Sequence, residues 1–279
     1  MPRSPDRVSR NTVRDALDSA VVALAAAGVD SPRLDAELLL AAATGLSRGQ
    51  IVSSPGREIE PEHARAFAGL ARRRREREPV AYILGEKGFR SIDLKVDRRV
   101  LIPRPETEHL VEAALGLPRG ARVVDVGTGS GAVALALKSE RPDLDVLATD
   151  VSADALAVAR ANGLLLGLRV TWLHGDLLAP VEGPVDAVVS NPPYVADGDA
   201  LPPDVARHEP AEALFAGADG RDVHRRLAPA ARAAGAAWVA VEVGAGQAGA
   251  VAGLLRAAGY AETAVDRDLA GIERVVRAW

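Results

Sequence analysis

Val123-Val124-Asp125-Val126-Gly127-Thr128-Gly129-Ser130-Gly131 is an apolar run that breaks into a glycine-rich turn, and a helical pattern near Ala132 to Ser139 follows at once. A strand feeding a turn that opens a helix is the first unit of a doubly wound α/β domain. Glycine suits such a turn because it tolerates backbone angles closed to other residues, and because the missing Cβ lets a ligand approach the backbone. The expected ligand is nucleotide-like. The glycines alone do not choose among nucleotides, since Gly127, Gly129 and Ala132 also satisfy the dinucleotide fingerprint, which permits alanine at its third position.

Downstream of this turn, strands and helices alternate. Besides Arg122 to Val126, the runs Asp145 to Thr149, Arg169 to Leu173, Val185 to Ser190 and Ala236 to Val243 read as strands. Helical patterns lie near Ala153 to Leu165, Arg221 to Ala234 and Gln247 to Ala257. Tyr260 to Asp266 and Glu273 to Trp279 add two closing strands, which makes seven.

Upstream the pattern is helical. Thr12 with Asp15 is a capping pair for a helix carrying Val13, Leu17, Ala20, Val21 and Leu24, which Gly28 ends. Ser31-Pro32 opens a second helix whose predicted inner face is Leu34, Leu38, Leu39 and Ala42; Gly45 closes it, and a further helix is expected from Pro61 to Glu78. The run Arg72-Arg73-Arg74-Arg75-Glu76-Arg77 at its end reads first as a solvated helix terminus, where cations suit the helix dipole, and second as a contact for an acidic partner. After Pro79 the period changes to two, with Ile92, Leu94 and Val96 on one side, as in a hairpin or extended linker, and a short helix is expected from Glu106 to Leu115. The expected division is a helical bundle over 1–78, a hairpin linker over 79–104 and an α/β domain over 105–279.

Two loops of the α/β domain carry the chemistry. Asp150 ends the strand after the glycine turn, where a carboxylate can accept both hydroxyl protons of a ribose. Asp125 and Asp176 are further acids on the same edge, suited to a cofactor's ammonium and amino groups or to ordinary loop capping. The apolar strand Val185 to Ser190 delivers Asn191-Pro192-Pro193-Tyr194 to that edge. The prolines stiffen the loop, so that the Asn191 side-chain oxygen and the Pro192 carbonyl, both acceptors, can face one point.

Two convergent acceptors suit the NH2 of an amide or an aniline-like group. Its delocalised lone pair is a poor nucleophile, and holding both hydrogens favours a pyramidal nitrogen aimed at an electrophile, with Tyr194 stacked on the planar group. Methyl transfer from S-adenosylmethionine needs that arrangement and hydride transfer does not, so a dehydrogenase using NAD becomes the minor alternative. Adenine N6, cytosine N4 and glutamine side chains pose the same electronic problem, and an adenine-N6 methyltransferase acting on DNA or RNA is the main alternative.

Bulk properties narrow the field. The 279 residues are 48% hydrophobic, enough for a sizeable core, and the formal charge of -4 supplies no global basic field for nucleic acid. There is no cysteine, which removes disulfides, thiolate zinc sites and cysteine nucleophiles. His63, His109, His174 and His224 show no ligand spacing, so no metal is expected, and His208 in the segment from Val195 to Gly220 reads first as a surface-loop residue and second as a substrate contact. No stretch is apolar enough to span a membrane, and Met1 to Asn11 has no apolar signal core behind it, so a cytoplasmic protein is expected.

Nearly the whole chain resembles the release-factor glutamine methyltransferases, the PrmC/HemK family. The blocks that carry the resemblance are Glu78-Pro-Val-Ala-Tyr-Ile-Leu-Gly85, Val100-Leu-Ile-Pro-Arg-Pro-Glu-Thr-Glu108, the turn from Gly127 to Gly131, Asn191 to Tyr194, and Arg267-Asp-Leu-Ala-Gly-Ile-Glu-Arg274. The resemblance implies a class I methyltransferase fold: a Rossmann-like doubly wound sheet of seven strands, a small N-terminal helical bundle that grips the partner, and a β-hairpin linker. It implies S-adenosylmethionine as cofactor and N5-methylation of the glutamine in the Gly-Gly-Gln loop of peptide-chain release factors, with no nucleic acid required. The cofactor residues are then Asp125, Gly127, Thr128, Gly129, Ser130, Gly131, Asp150, Asp176, Leu177 and Asn191. Those for the substrate amide are Asn191, Pro192, Pro193 and Tyr194, of which Asn191, Pro192 and Tyr194 are catalytic. The family often has an aromatic residue where Leu177 stands. It also has Asn-Ala at Asn162-Gly163 and a leucine at Arg221.

Overall fold

In the computed structural model, which describes residues 11–279, Thr12 caps helix α1 (Val13–Ala26) as its sequence predicts, with the reciprocal bonds of a capping box to Asp15. The residues ahead of Asn11 lie outside the described part. Residues 11–85 together with Pro203–His208 form one compact unit, and Glu86–Pro202 with Glu209–Trp279 form a second.

The first unit continues with α2 (Pro32–Thr44), α3 (Arg48–Ser53), α4 (Pro61–Arg75) and α5 (Val80–Leu84). Val13, Leu17, Leu24, Leu39, Leu40, Ile51 and Phe67 are its buried centre. Helix α3 opens on a capping box of Ser47 and Gln50, of the same kind as Thr12 and Asp15. Helix α5 occupies residues that read as extended, because Gly85 in the left-handed region ends a short helical turn there.

Two readings of this region need correction. The inner face of α2 is rotated from the expected one: Ala36, Leu39 and Leu40 are fully buried whereas Leu34 is 40% exposed. The rotation also buries two acids, and each is paired. Glu37 accepts from Arg33 Nε at 2.7 Å and Arg48 Nε at 2.8 Å, while Asp35 accepts from Arg74 Nε at 2.7 Å. The arginine run is therefore neither a simple solvated helix end nor a free patch. Arg74 is buried between Asp35 and Asp204, Arg73 forms a two-pronged pair with Glu78, and Arg77, in the left-handed region, pairs with Asp204. Among the run, Arg72 and Arg75 are exposed.

The second unit opens with the antiparallel hairpin β1 (Glu86–Phe89) and β2 (Ile92–Lys95), followed by α6 (Glu108–Ala114). The sheet is then built from β3 (Arg122–Val126), β4 (Asp145–Asp150), β5 (Thr171–His174) and β6 (Ala187–Ser190), with α7 (Ala132–Glu140) and α8 (Ala153–Leu166) between the first three. After β6 comes α9 (Pro203–His208), the segment grouped with the first unit. It is followed by α10 (Asp222–Ala233), β7 (Trp238–Glu242), α11 (Ala248–Ala257), β8 (Thr263–Arg267) and β9 (Glu273–Ala278).

The seven strands lie in the order β5-β4-β3-β6-β7-β9-β8; β9 is antiparallel to both β7 and β8, and the other pairs are parallel. Apolar residues on successive positions of each central strand feed opposite layers, as period two demands. Val123, Ala187 and Val189 pack with α6, α7 and the hairpin. Val124, Val126 and Val188 pack with α10 and α11. Strand order reverses on either side of β3, so its carboxyl end and that of β6 open at the switch point where ligands bind in such sheets.

Candidate functional site

Strands β3 and β6 pair in register, Val126 opposite Ser190, and the Ser190 hydroxyl donates 2.7 Å to the Val126 carbonyl. The next residues in each strand are Gly127 and Asn191, so sheet pairing itself sets the glycine turn beside the Asn-Pro-Pro-Tyr loop. Both line one cleft between the carboxyl ends of the two strands.

The turn divides into residues that face the cleft and residues that hold its shape. Gly127 and Gly129 have positive φ, and a Cβ on either would point into open space, which leaves the backbone accessible to a ligand. Gly131 also has positive φ, yet a Cβ there would lie 3.0 Å from Leu135 Cδ1 and 3.2 Å from both Ala159 Cβ and Trp172 Cη2, so it serves close packing. Asp125 is 1% exposed and behind the wall: its Oδ2 accepts from Thr128 Oγ1 at 2.6 Å and from the Ala134 amide at 3.1 Å. Burial raises its pKa to about 7, against the opposing effect of those two donors. Thr128 and Ser130 are buried as well. Asp125, Thr128, Ser130 and Gly131 thus frame the turn, and Gly127 and Gly129 present it.

Asp150 lines the cleft from the end of β4. Its two oxygens accept from the Gly129 and Ser152 amides, each at 2.9 Å, which aims the carboxylate while leaving lone pairs for a ligand. Burial also raises its pKa. Thr149 beside it also contributes to the lining, while its hydroxyl is buried without a hydrogen-bond partner. Asp176 and Leu177 also line the cleft. Asp176 is exposed and pairs with Arg226, and Leu177 adopts φ 48, an unusual conformation for a non-glycine residue that sets its side chain at the cleft.

Asn191, Pro192 and Pro193 line the cleft, and Tyr194 does not. Asn191 Nδ2 donates 3.0 Å to Thr107 Oγ1, so one end of the side-chain amide is engaged and the oxygen end is left. Tyr194 is instead tied at both ends. Its hydroxyl donates 3.3 Å to Glu242 Oε1 and its carbonyl accepts from Gln247 Nε2 at 2.9 Å. Burial raises the pKa of its hydroxyl well above the ordinary tyrosine value, which removes Tyr194 as a proton acceptor.

Several supporting residues escaped sequence reading. Thr107, Arg104 and Ile102 belong to the block Val100 to Glu108. Glu209 is buried, accepting from the Ile102 amide at 3.1 Å and from Arg104 Nη2 at 2.5 Å, which pins the segment after β6 to that block. Glu242 is a 1% exposed acid at the end of an apolar strand, a signal visible in sequence but without meaning until its neighbours are known. Asn162 is fully buried and bonds Lys95 on the hairpin and the Ser130 carbonyl in the turn. Gly163 beside it leaves room for Trp172, since a Cβ there would lie 3.2 Å from the indole. Arg221 is engaged by Asp219. His208 is half-buried, with both ring nitrogens covered and without a hydrogen-bond partner. Among the described residues no cluster of three or more metal-ligating side chains occurs, and no helix is long and apolar enough to cross a membrane.

Two family models match the chain, the PrmC N-terminal domain over residues 15–85 and the methyltransferase small domain over residues 106–214. Among curated proteins it is similar to the release factor glutamine methyltransferase of Rhodospirillum rubrum, 45% identical over 94% of this chain and 83% of that one. The release factor glutamine methyltransferase of Deinococcus radiodurans is also 45% identical, over 95% of this chain and 98% of its own. Among solved structures, a methyltransferase from Pyrococcus furiosus matches with a TM-score of 0.53 at 18% identity, covering 67% of this chain and 88% of that one, a likeness of fold.

Proposed function

Because the chain belongs to the release factor glutamine methyltransferase family, we propose that it transfers a methyl group from S-adenosylmethionine to the side-chain amide nitrogen of the glutamine in the Gly-Gly-Gln motif of peptide-chain release factors. The adjacency of Gly127 and Asn191, imposed by the register of β3 and β6, carries this reading, since donor and acceptor pockets must share a wall for in-line transfer.

The cleft suits the cofactor on its own chemistry. Gly127 and Gly129 leave the backbone open, and Asp150 offers carboxylate oxygens to ribose hydroxyls. Bound there, S-adenosylmethionine supplies an electrophilic methyl carbon on a sulfonium. Asp176 and Leu177 would hold the adenine side, where Leu177 can offer an aliphatic contact only. Asp125, Thr128, Ser130 and Gly131 act from behind, by fixing the turn.

The chain's own work on the substrate is positioning. The Asn191 side-chain oxygen and the Pro192 carbonyl accept the two amide hydrogens, which keeps the nitrogen lone pair from spreading into the carbonyl and aims it at the methyl carbon. Tyr194, tied to Glu242 and Gln247 and off the cleft wall, holds the loop in place rather than stacking on the planar group. Proximity and orientation of this kind can supply roughly 7–11 kcal/mol of a barrier. No strong base is needed, because the alkylated nitrogen becomes acidic enough to lose its proton.

The helical unit helps grip the partner in this proposal. It offers a groove lined by Ala16, Ala20, Phe67 and Ala68, with Arg72 and Arg75 along it. Catalysis needs no nucleic acid and takes place in the cytoplasm, where release factors work. Incubating the protein with labelled cofactor and a release factor, and separately with duplex DNA, tests the proposal by mass spectrometry. A methyl on the Gly-Gly-Gln glutamine is expected; a methyl on adenine instead, or none on the release factor, overturns it.

A further inference from the structure

Behind the Asn-Pro-Pro-Tyr loop lies a group of buried polar residues that the transfer reaction does not itself use. Glu242, at the carboxyl end of β7, is 1% exposed; its Oε1 accepts from the Tyr194 hydroxyl and its Oε2 is buried without a hydrogen-bond partner. The Thr107 hydroxyl is 4% exposed, lies close enough to Glu242 to favour its ionised form, and accepts from Asn191 Nδ2 at 3.0 Å. Carboxylate, hydroxyl and carboxamide therefore stand in a row, and only the last of them lines the cleft.

We propose that Glu242 is a positioning residue for methyl transfer, setting through the Thr107 hydroxyl which end of the Asn191 side-chain amide faces the substrate. The proposal rests on the functional reading above and deepens it. An ionised carboxylate only accepts hydrogen bonds, whereas a hydroxyl has one proton to give. With the Thr107 proton directed at Glu242, the Thr107 oxygen can only accept, and it accepts from the NH2 end of Asn191. The oxygen end is then presented to the cleft, as a substrate NH2 requires.

Shape alone does not secure this orientation, because the two ends of a carboxamide are nearly isosteric. Charge does. A protonated Glu242 would donate to Thr107, freeing the Thr107 proton for the Asn191 oxygen; the amide would then turn its NH2 toward the substrate NH2, donor against donor. Burial, aided by the charge of Glu106, raises the Glu242 pKa to about 7 against the opposing effect of Thr107, Tyr194 and Arg274. His224 meets only the backbone of this residue. A carbonyl accepts, so its Nε2 at 2.9 Å carries the proton, and burial lowers the pKa of the ring.

The test measures kcat and KM for a release factor at saturating cofactor, across the pH range around neutrality. Wild-type kcat is expected to fall as pH drops through about 7. Glu242→Gln should lose that acidic limb, and its kcat at alkaline pH should be about tenfold or more below wild type, with KM little changed. Thr107→Val should show a similar loss in kcat, and Thr107→Ser, which restores the hydroxyl, should recover most of it. Melting temperatures check folding, and should Glu242→Gln fail to fold, the Thr107 pair decides alone. Wild-type turnover in Thr107→Val, or an acidic limb that persists in folded Glu242→Gln, would overturn the relay. An active wild type with unmoved variants defeats only the relay, whereas a wild type that leaves the glutamine unmethylated defeats the functional reading.

Discussion

The Ser190 hydroxyl donates 2.7 Å to the carbonyl of Val126, across a parallel pair in which these two residues face each other as the last of their strands. Everything in the cleft follows from that register. A slip by one residue would turn Val124, Val126 and Val188 to the wrong layer and exchange what Asn191 and Gly127 present.

Asn191→Ala should keep the fold and lose most turnover. One amide hydrogen bond in a buried site is worth about 1–3 kcal/mol, and loss of orientation adds to it. Steady-state kinetics on a release factor checks this, and turnover near wild type would refute the assigned role.

Asp150→Ala should act on the cofactor first. The carboxylate bonds the Gly129 amide at 2.9 Å, so its removal loosens the turn as well as the ribose site. Calorimetric titration with S-adenosylmethionine should show affinity lower by about tenfold or more. Unchanged affinity would count against the ribose contact.

Asp125 predicts a pH dependence of stability. Its pKa in the folded chain is about 7, above the ordinary carboxylate value, so between those limits the folded state binds more protons than the unfolded state. Stability from this group is complete at acid pH and falls as pH rises through about 7. Asp125→Asn, which can still accept from Thr128 and Ala134, should flatten the slope of unfolding free energy over that window. An identical slope in both proteins would show that Asp125 is ionised in the fold.

Arg74 and Arg72 should behave oppositely despite being two positions apart in one run. Arg74→Ala leaves Asp35 buried without its cation and should cost about 3–5 kcal/mol. Arg72→Ala, at an exposed position, should stay within about 0.5 kcal/mol. Denaturant unfolding of both variants makes the comparison, and equal effects would contradict the buried pair.

Gly131→Ala should destabilise by about 1–3 kcal/mol, because the new Cβ crowds Leu135, Ala159 and Trp172 and the backbone sits at φ 85. Thermal melting measures it; an unmoved midpoint would mean that the helix packing can give way.

What the amino-acid sequence by itself determined is the order of elements and the place of both loops. Apolar runs of strand length, the glycines of 127–131 and the prolines after Asn191 act through local backbone preference and period, which do not depend on distant residues. The distinctive blocks also carried the family, which a glycine turn alone does not. Tertiary structure alone decided which polar groups meet: Arg74 with Asp35, Glu209 with Arg104, and Asn191 with Thr107. It separated the glycines that face the cleft from the one that packs, and it rotated α2 to bury two acids. The physical reason is that a buried charge or amide is tolerable only with a partner, and partners 39 to 105 residues away in the chain become neighbours only once the elements have packed.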